Sequence, residues 1–167
     1  MIMLLPLCWL LSFLVAVSVH ELFHYIAVCL CGGKIIRIKV GSSGMIMEIS
    51  PLSPGKELIC ALSGPLGSLL ISLWIHRFQM IGLCSVFHLV YNMLPVYPLD
   101  GGRAIHCVLN MMFSPTRSER ITLWISKCFL LIIFLAGAFT SWYYSLGIIP
   151  VLIPVVLWLR IQNQDKT

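Results

Sequence analysis

Val17-Ser18-Val19-His20-Glu21-Leu22-Phe23-His24 sets two histidines and a glutamate inside a stretch otherwise apolar enough to live in a bilayer. The run that contains it, residues 3–31, is one long apolar segment closed by Gly32-Gly33, which predicts a membrane-spanning helix. On a helix His20 and His24 stand one turn apart on the same face, so both imidazoles can reach one ion. Glu21 lies beside them, placed to act on a water at that ion. Ionisable groups in a bilayer are costly and usually mark a functional site.

Composition agrees with a membrane setting. The chain of 167 residues is 59% hydrophobic and 10% charged, with a mean hydropathy of +0.98. These values exclude an ordinary soluble domain and a disordered one, and point to a polytopic helical membrane protein. The net charge of +5 has no basic face or aromatic stacking platform beside it, so no nucleic-acid partner is expected. Seven cysteines lie scattered through apolar segments without a metal or disulfide rhythm and read as buried, reduced thiols. The N-terminus has neither a basic n-region nor a small-residue cleavage site, and is read as retained.

Outward from the first span, residues 34–50 change period. Ile36, Ile38 and Val40 alternate with Arg37 and Lys39, and Met45, Met47 and Ile49 alternate with Ile46, Glu48 and Ser50. Around Gly41-Ser42-Ser43-Gly44 this predicts a small β-hairpin resting against the membrane helices. A second span is expected over residues 57–75, with the small-residue cluster Ser63-Gly64-Pro65-Leu66-Gly67-Ser68 suited to close helix packing. After the connection His76-Arg77-Phe78-Gln79, a third apolar run starts at Met80. It breaks at Asn92-Met93-Leu94-Pro95-Val96-Tyr97-Pro98-Leu99-Asp100-Gly101-Gly102, and broken backbone at membrane depth is tolerated only against protein or a wet cavity. An amphipathic piece from Arg103 to Phe113, a polar linker from Ser114 to Arg120, and spans over residues 121–140 and 142–160 complete the chain. Pro150 and Pro154 are expected to kink the last span. The predicted fold is thus an all-α polytopic membrane protein of about five transmembrane helices with a membrane-associated hairpin after the first.

Charge gives the orientation. With five spans, one side receives Lys34, Arg37, Lys39, Lys56, Arg103, Arg117, Arg120, Arg160 and Lys166, and the other only Arg77. The positive-inside rule places the N-terminus outside, and the hairpin, linker and C-terminus in the cytoplasm. Spans one and three then run parallel, with His20, His24 and Asp100 all toward their cytoplasmic ends.

A catalytic zinc site takes three protein ligands and leaves a fourth position for water. His20 and His24 supply two, in the H-E-x-x-H pattern of zinc metalloproteases, and Asp100 is the best third candidate. Glu21 is the expected general base, taking a proton from water and returning it to the leaving amine. The reaction class is peptide hydrolysis without an acyl-enzyme.

These residues resemble the site-2 protease group of intramembrane zinc metalloproteases, peptidase family M50. His20-Glu21-x-x-His24 matches its first motif, and Asn92-x-x-Pro95-x-x-Pro98-Leu99-Asp100-Gly101-Gly102 its second. The segment around Ser63, Gly64 and Pro65 resembles a third, softer motif in which asparagine often stands where this chain has Ser68. The resemblance implies that His20, His24 and Asp100 bind one Zn2+, that Glu21 is catalytic, and that Asn92 lies near the substrate backbone or the developing oxyanion. It covers residues 5–105. The chain looks most like the branch containing the stage IV sporulation protease of FB type. That branch implies a membrane-tethered substrate such as a sigma-factor precursor, and a regulatory membrane partner. No PDZ insertion fits between the motifs and no CBS domain follows Arg160. Residues 1–113 are read as the catalytic core and residues 114–167 as a two-span extension.

Other readings differ in class. The chain could act on an anti-sigma factor or another membrane protein; it could be a catalytically silent scaffold, which Glu21 disfavours; or it could be a carrier, which the lack of repeat symmetry disfavours. His88 stands twelve positions before Asp100 and is read as too far for the same ion. His76 and His106 are read as solvated or hydrogen-bonded, not as ligands.

Overall fold

A computed structural model describes residues 4–41, 44–144 and 149–164. Its order is α1 (Leu4–Leu30), β1 (Ile35–Gly41), β2 (Gly44–Ile49), α2 (Pro54–Ser72), α3 (Gln79–Asn92), α4 (Asp100–Met112), α5 (Pro115–Tyr144) and α6 (Ile149–Gln164). The chain divides into two compact units, Met1–Leu94 and Pro95–Thr167.

In the first unit, α1, α2 and α3 pack pairwise against one another. The buried positions of α1 include Ser12, Ala16, His20, His24 and Val28, a stripe at every fourth residue that places both histidines on the inward face. The helix stops where the glycine pair predicts. Gly32 has φ +77°, the Gly33 N–H donates to the Val28 carbonyl at 2.9 Å, and the Gly32 N–H to that of Cys29 at 3.1 Å. This is the glycine-dependent αL ending that satisfies the last helical carbonyls. The Lys56 ammonium adds a bond to the Cys31 carbonyl at 2.9 Å.

The hairpin forms as an antiparallel pair, with Ile38 opposite Met47 and Val40 opposite Met45, and one irregularity between Ile35 and Arg37. Its turn residues Ser42 and Ser43 lie outside the described residues. The base is closed by the Ser50 N–H on the Lys34 carbonyl and the Lys34 N–H on Ser50 Oγ. Ile35 and Ile49 pack with Cys31 and Leu52 on a core of Ala27, Val28 and Cys60, which seats the hairpin on the ends of α1 and α2.

In the second unit α5 packs on α4 and on α6. Residues read as a polar linker are instead the first turn of α5. Pro115 starts it, because a helix's first turn needs no N–H donor. Ser118, Thr122 and Ser126 are buried, and each donates its hydroxyl to the carbonyl one turn back. Pro150 falls in the opening turn of α6, where it imposes no kink, whereas Pro154 lies inside the helix.

Among the described residues, two helices, over Pro6–Leu30 and Pro115–Tyr143, are long and apolar enough to cross a membrane. They leave Leu10, Leu14, Trp124, Leu131, Ile132 and Leu135 exposed, a surface suited to lipid more than to water. By contrast α3, with 14 residues, is about 21 Å long, short of the ~30 Å hydrocarbon core. None of the seven cysteines is in a disulfide; Cys60, Cys84 and Cys107 are buried, while Cys8, Cys29 and Cys128 are exposed, contrary to the expectation that all are buried.

Candidate metal centre

His20 is 2% and His24 8% exposed, and their Nε2 atoms face each other at 3.1 Å. The outer nitrogens are both engaged. His24 Nδ1 lies 2.7 Å from the Cys60 carbonyl oxygen, which only accepts, so the proton sits on Nδ1 and Nε2 carries a lone pair. His20 Nδ1 lies 2.9 Å from Ser68 Oγ. The Ser63 hydroxyl donates to the same Cys60 carbonyl at 2.7 Å and approaches His24 Nδ1 at 3.3 Å.

This arrangement fits a zinc ion. A tetrahedral ion with Zn–N bonds near 2.05 Å holds two ligand nitrogens about 3.3 Å apart, close to the separation found here. Ligating histidines characteristically give their other ring N–H to a carbonyl or a second polar group, as His24 does to the Cys60 carbonyl, while His20 Nδ1 stands at hydrogen-bond distance from Ser68 Oγ. Gly64 lets the two rings pack directly on the backbone of α2: a Cβ there would collide with His24 Nε2 and stand 2.6 Å from His20 Nε2. The donor set suits a small cation.

Glu21 is half-buried on the next position of α1. His88 is not remote in space from the pair. Its ring meets that of His20 edge to face, with centroids 4.5 Å apart, and it also meets Phe13 at 6.1 Å. The expectation that His88 is not a ligand of the same ion stands untouched by this ring contact with α1. Asn92 closes α3 and donates its side-chain amide to the His88 carbonyl at 3.0 Å.

In the second unit Asp100 is 6% exposed and occupies the first position of α4. There the helix dipole favours a carboxylate, and the Arg103 guanidinium lies 3.8 Å away. The preceding turn is held by the Leu99 N–H on the Val96 carbonyl at 2.8 Å and by the Tyr97 N–H on Ser126 Oγ at 2.9 Å. Gly102 lets α4 approach that turn, since a Cβ would run into the backbone of Val96 and Tyr97. His106 lies within α4, not in a connection, and its ring nitrogens bond Thr122 and Asn110.

Sequence reasoning assigned Gly64 to helix packing and noted Ser68 only as a departure from a motif. The signal that could have found them is spacing: Cys60, Gly64 and Ser68 recur every fourth residue, the interval separating His20 from His24.

Comparison with known proteins is consistent with this chemistry. Residues 59–136 match peptidase family M50. A zinc metalloprotease of Methanocaldococcus jannaschii is 25% identical over 166 residues, covering 91% of this chain and 48% of that protein. Stage IV sporulation protein FB of Bacillus subtilis is 26% identical over 140 residues, covering 74% of this chain and 48% of that one. The chain therefore spans about half the length of the curated relatives it matches. In fold it is similar to a site-2 protease structure from Methanocaldococcus jannaschii, with a TM-score of 0.71 at 24% identity over 89% of this chain and 73% of that one.

Proposed function

We propose that the chain is an intramembrane zinc endopeptidase of the site-2 protease group of peptidase family M50, cutting a membrane-tethered protein substrate, a reading supported by the family match over residues 59–136 and by the two curated relatives. The observation that carries this reading is the buried pair of Nε2 atoms at 3.1 Å, each ring anchored through Nδ1.

His20 and His24 are proposed as two ligands and Asp100 as the third, because a carboxylate is a competent zinc ligand and this one is buried within its own unit. Zinc held by these residues would supply a water of lowered pKa and a Lewis acid for the scissile carbonyl. Glu21 takes the proton from the attacking water and passes it to the leaving amine. Asn92 offers its amide to the substrate backbone or the developing oxyanion. Residues 1–113 form the catalytic core and residues 114–167 an extension. Five spans are assigned, with the N-terminus outside and the active site toward the cytoplasm, supported by nine positive residues on one side against Arg77 on the other. Membrane context supports an unwound or extended substrate segment, because a helical peptide bond is not open to attack.

A sigma-factor precursor is the favoured substrate, supported by the similarity to the sporulation protein. The test is co-expression with membrane-tethered sigma-factor precursors, comparing wild type with Glu21→Gln. Cleavage by wild type alone is expected, with Glu21→Gln slowed by about 10²–10⁴ while keeping its zinc. Equal processing by both proteins removes Glu21 from the mechanism. Zinc-loaded wild type that cuts an anti-sigma factor but no sigma-factor precursor refutes the sporulation assignment and leaves the protease reading standing.

A further inference from the structure

We propose that Ser68 is a positioning residue for the metal centre, its hydroxyl holding His20 in the tautomer that presents Nε2 as a ligand. The proposal rests on the reading that His20 and His24 hold zinc.

The two histidines are anchored unequally. The partner of His24 is a backbone carbonyl, which leaves one tautomer for that ring. The partner of His20 is a hydroxyl, which can donate or accept. Without a hydrogen-bond acceptor at Nδ1, the His20 proton would rest on Nε2, where it bonds to the lone pair of His24 Nε2 across 3.1 Å. That arrangement occupies both ligand atoms with each other. Ser68, 0% exposed and 2.9 Å from Nδ1, supplies the acceptor that moves the proton to the far side of the ring. With Nδ1 protonated on both rings, each Nε2 keeps its lone pair for a metal ion.

Ser68 is fully buried and His20 nearly so, which takes this pair out of contact with bulk solvent. His88 meets the His20 ring edge to face and steadies its plane. Plane and tautomer are different constraints: ring packing limits rotation, whereas only a polar partner at Nδ1 decides which nitrogen carries the proton. Ser68 also shares its helix face with Cys60, so a single helix orients both ligands.

The experiment measures zinc affinity of the purified full chain by competition with a chromogenic chelator, with thermal unfolding of the metal-free proteins alongside. Ser68→Ala should bind zinc about 10–100-fold more weakly, the range for loss of a ligand's outer hydrogen-bond partner. Ser68→Thr, which restores the hydroxyl, should recover most of that affinity. In a His20→Ala background, Ser68→Ala should change zinc affinity by less than about twofold, because the ring it serves is gone. An unchanged affinity in Ser68→Ala, or a full second loss in the His20→Ala background, overturns the proposal. The underlying reading fails separately: His20→Ala binding zinc as tightly as wild type removes His20 from the site altogether.

Discussion

Gly64→Ala is the smallest change that should empty the metal centre. A methyl group at this position would collide with His24 Nε2 and stand 2.6 Å from His20 Nε2 and 2.7 Å from His24 Cδ2. Ordinary contact of about 3.4 Å requires His20 Nε2 to retreat by roughly 0.8 Å, whereas metal–ligand distances tolerate only about 0.2 Å. Both rings are anchored at Nδ1, so neither can swing away without breaking a bond to Ser68 or Cys60. Zinc affinity should fall by at least about 100-fold, equivalent to about 2.7 kcal/mol. The metal-free protein should lose stability too, because the clash is with the rings themselves. Alanine is a better helix former than glycine by about 1 kcal/mol, which offsets part of an overpacking cost of about 1–3 kcal/mol. The assay pairs chelator competition in nanodiscs with the Tm of the metal-free form. A Gly64→Ala protein that holds zinc within about threefold of wild type would refute the argument that the ligand rings need a bare backbone at this position.

Three further outcomes are expected. Asn92→Ala should lower kcat by about 10²-fold with zinc affinity unchanged, as for loss of one oxyanion donor; a drop in zinc affinity instead would show that its bond to the His88 carbonyl matters more. Gly102→Ala should destabilise the second unit by about 1–3 kcal/mol, because the added Cβ meets backbone and not a movable side chain, and an unchanged Tm would contradict that. Proline scanned along β1, residues 35–41, should reduce cleavage without loss of zinc at positions whose N–H points away from β2, if substrate adds as a strand; uniform cleavage across the scan would sink strand addition.

What the sequence made legible follows the range of the forces involved. The α1 stop at Gly32-Gly33 and the hairpin are local: one needs a left-handed residue, the other an alternation of period two, and both can be read from a few neighbours. The start of α5 was also local but was misread, since the polar run Thr116–Arg120 outweighed the helix-opening Pro115 behind Ser114. A helix may begin with charged residues before its apolar length; polarity alone does not mark a loop. The placement of His88 was out of reach for a different reason. Distance along one helix carries no information about which residue of a neighbouring helix stands opposite, and that pairing depends on how α1 and α3 pack.

The metal centre itself shows why an acid–histidine motif is only part of a site. His20 and His24 lie four residues apart on α1, and the groups that orient them, Ser68 and the Cys60 carbonyl, lie eight apart on α2. The earlier histidine meets the later partner, as antiparallel packing of the two helices requires. Gly64 falls midway between the partners, opposite the gap between the two Nε2 atoms. A bulky residue there would push the two rings out of place, and an apolar residue at position 68 would take away the Nδ1 partner of His20. The small residues of α2 thus serve two demands at once: they let two helices approach in lipid, and they let the ligand rings pack on the helix with their outer nitrogens satisfied. The histidine pair on α1 names the chemistry, but its geometry is set by the face of α2.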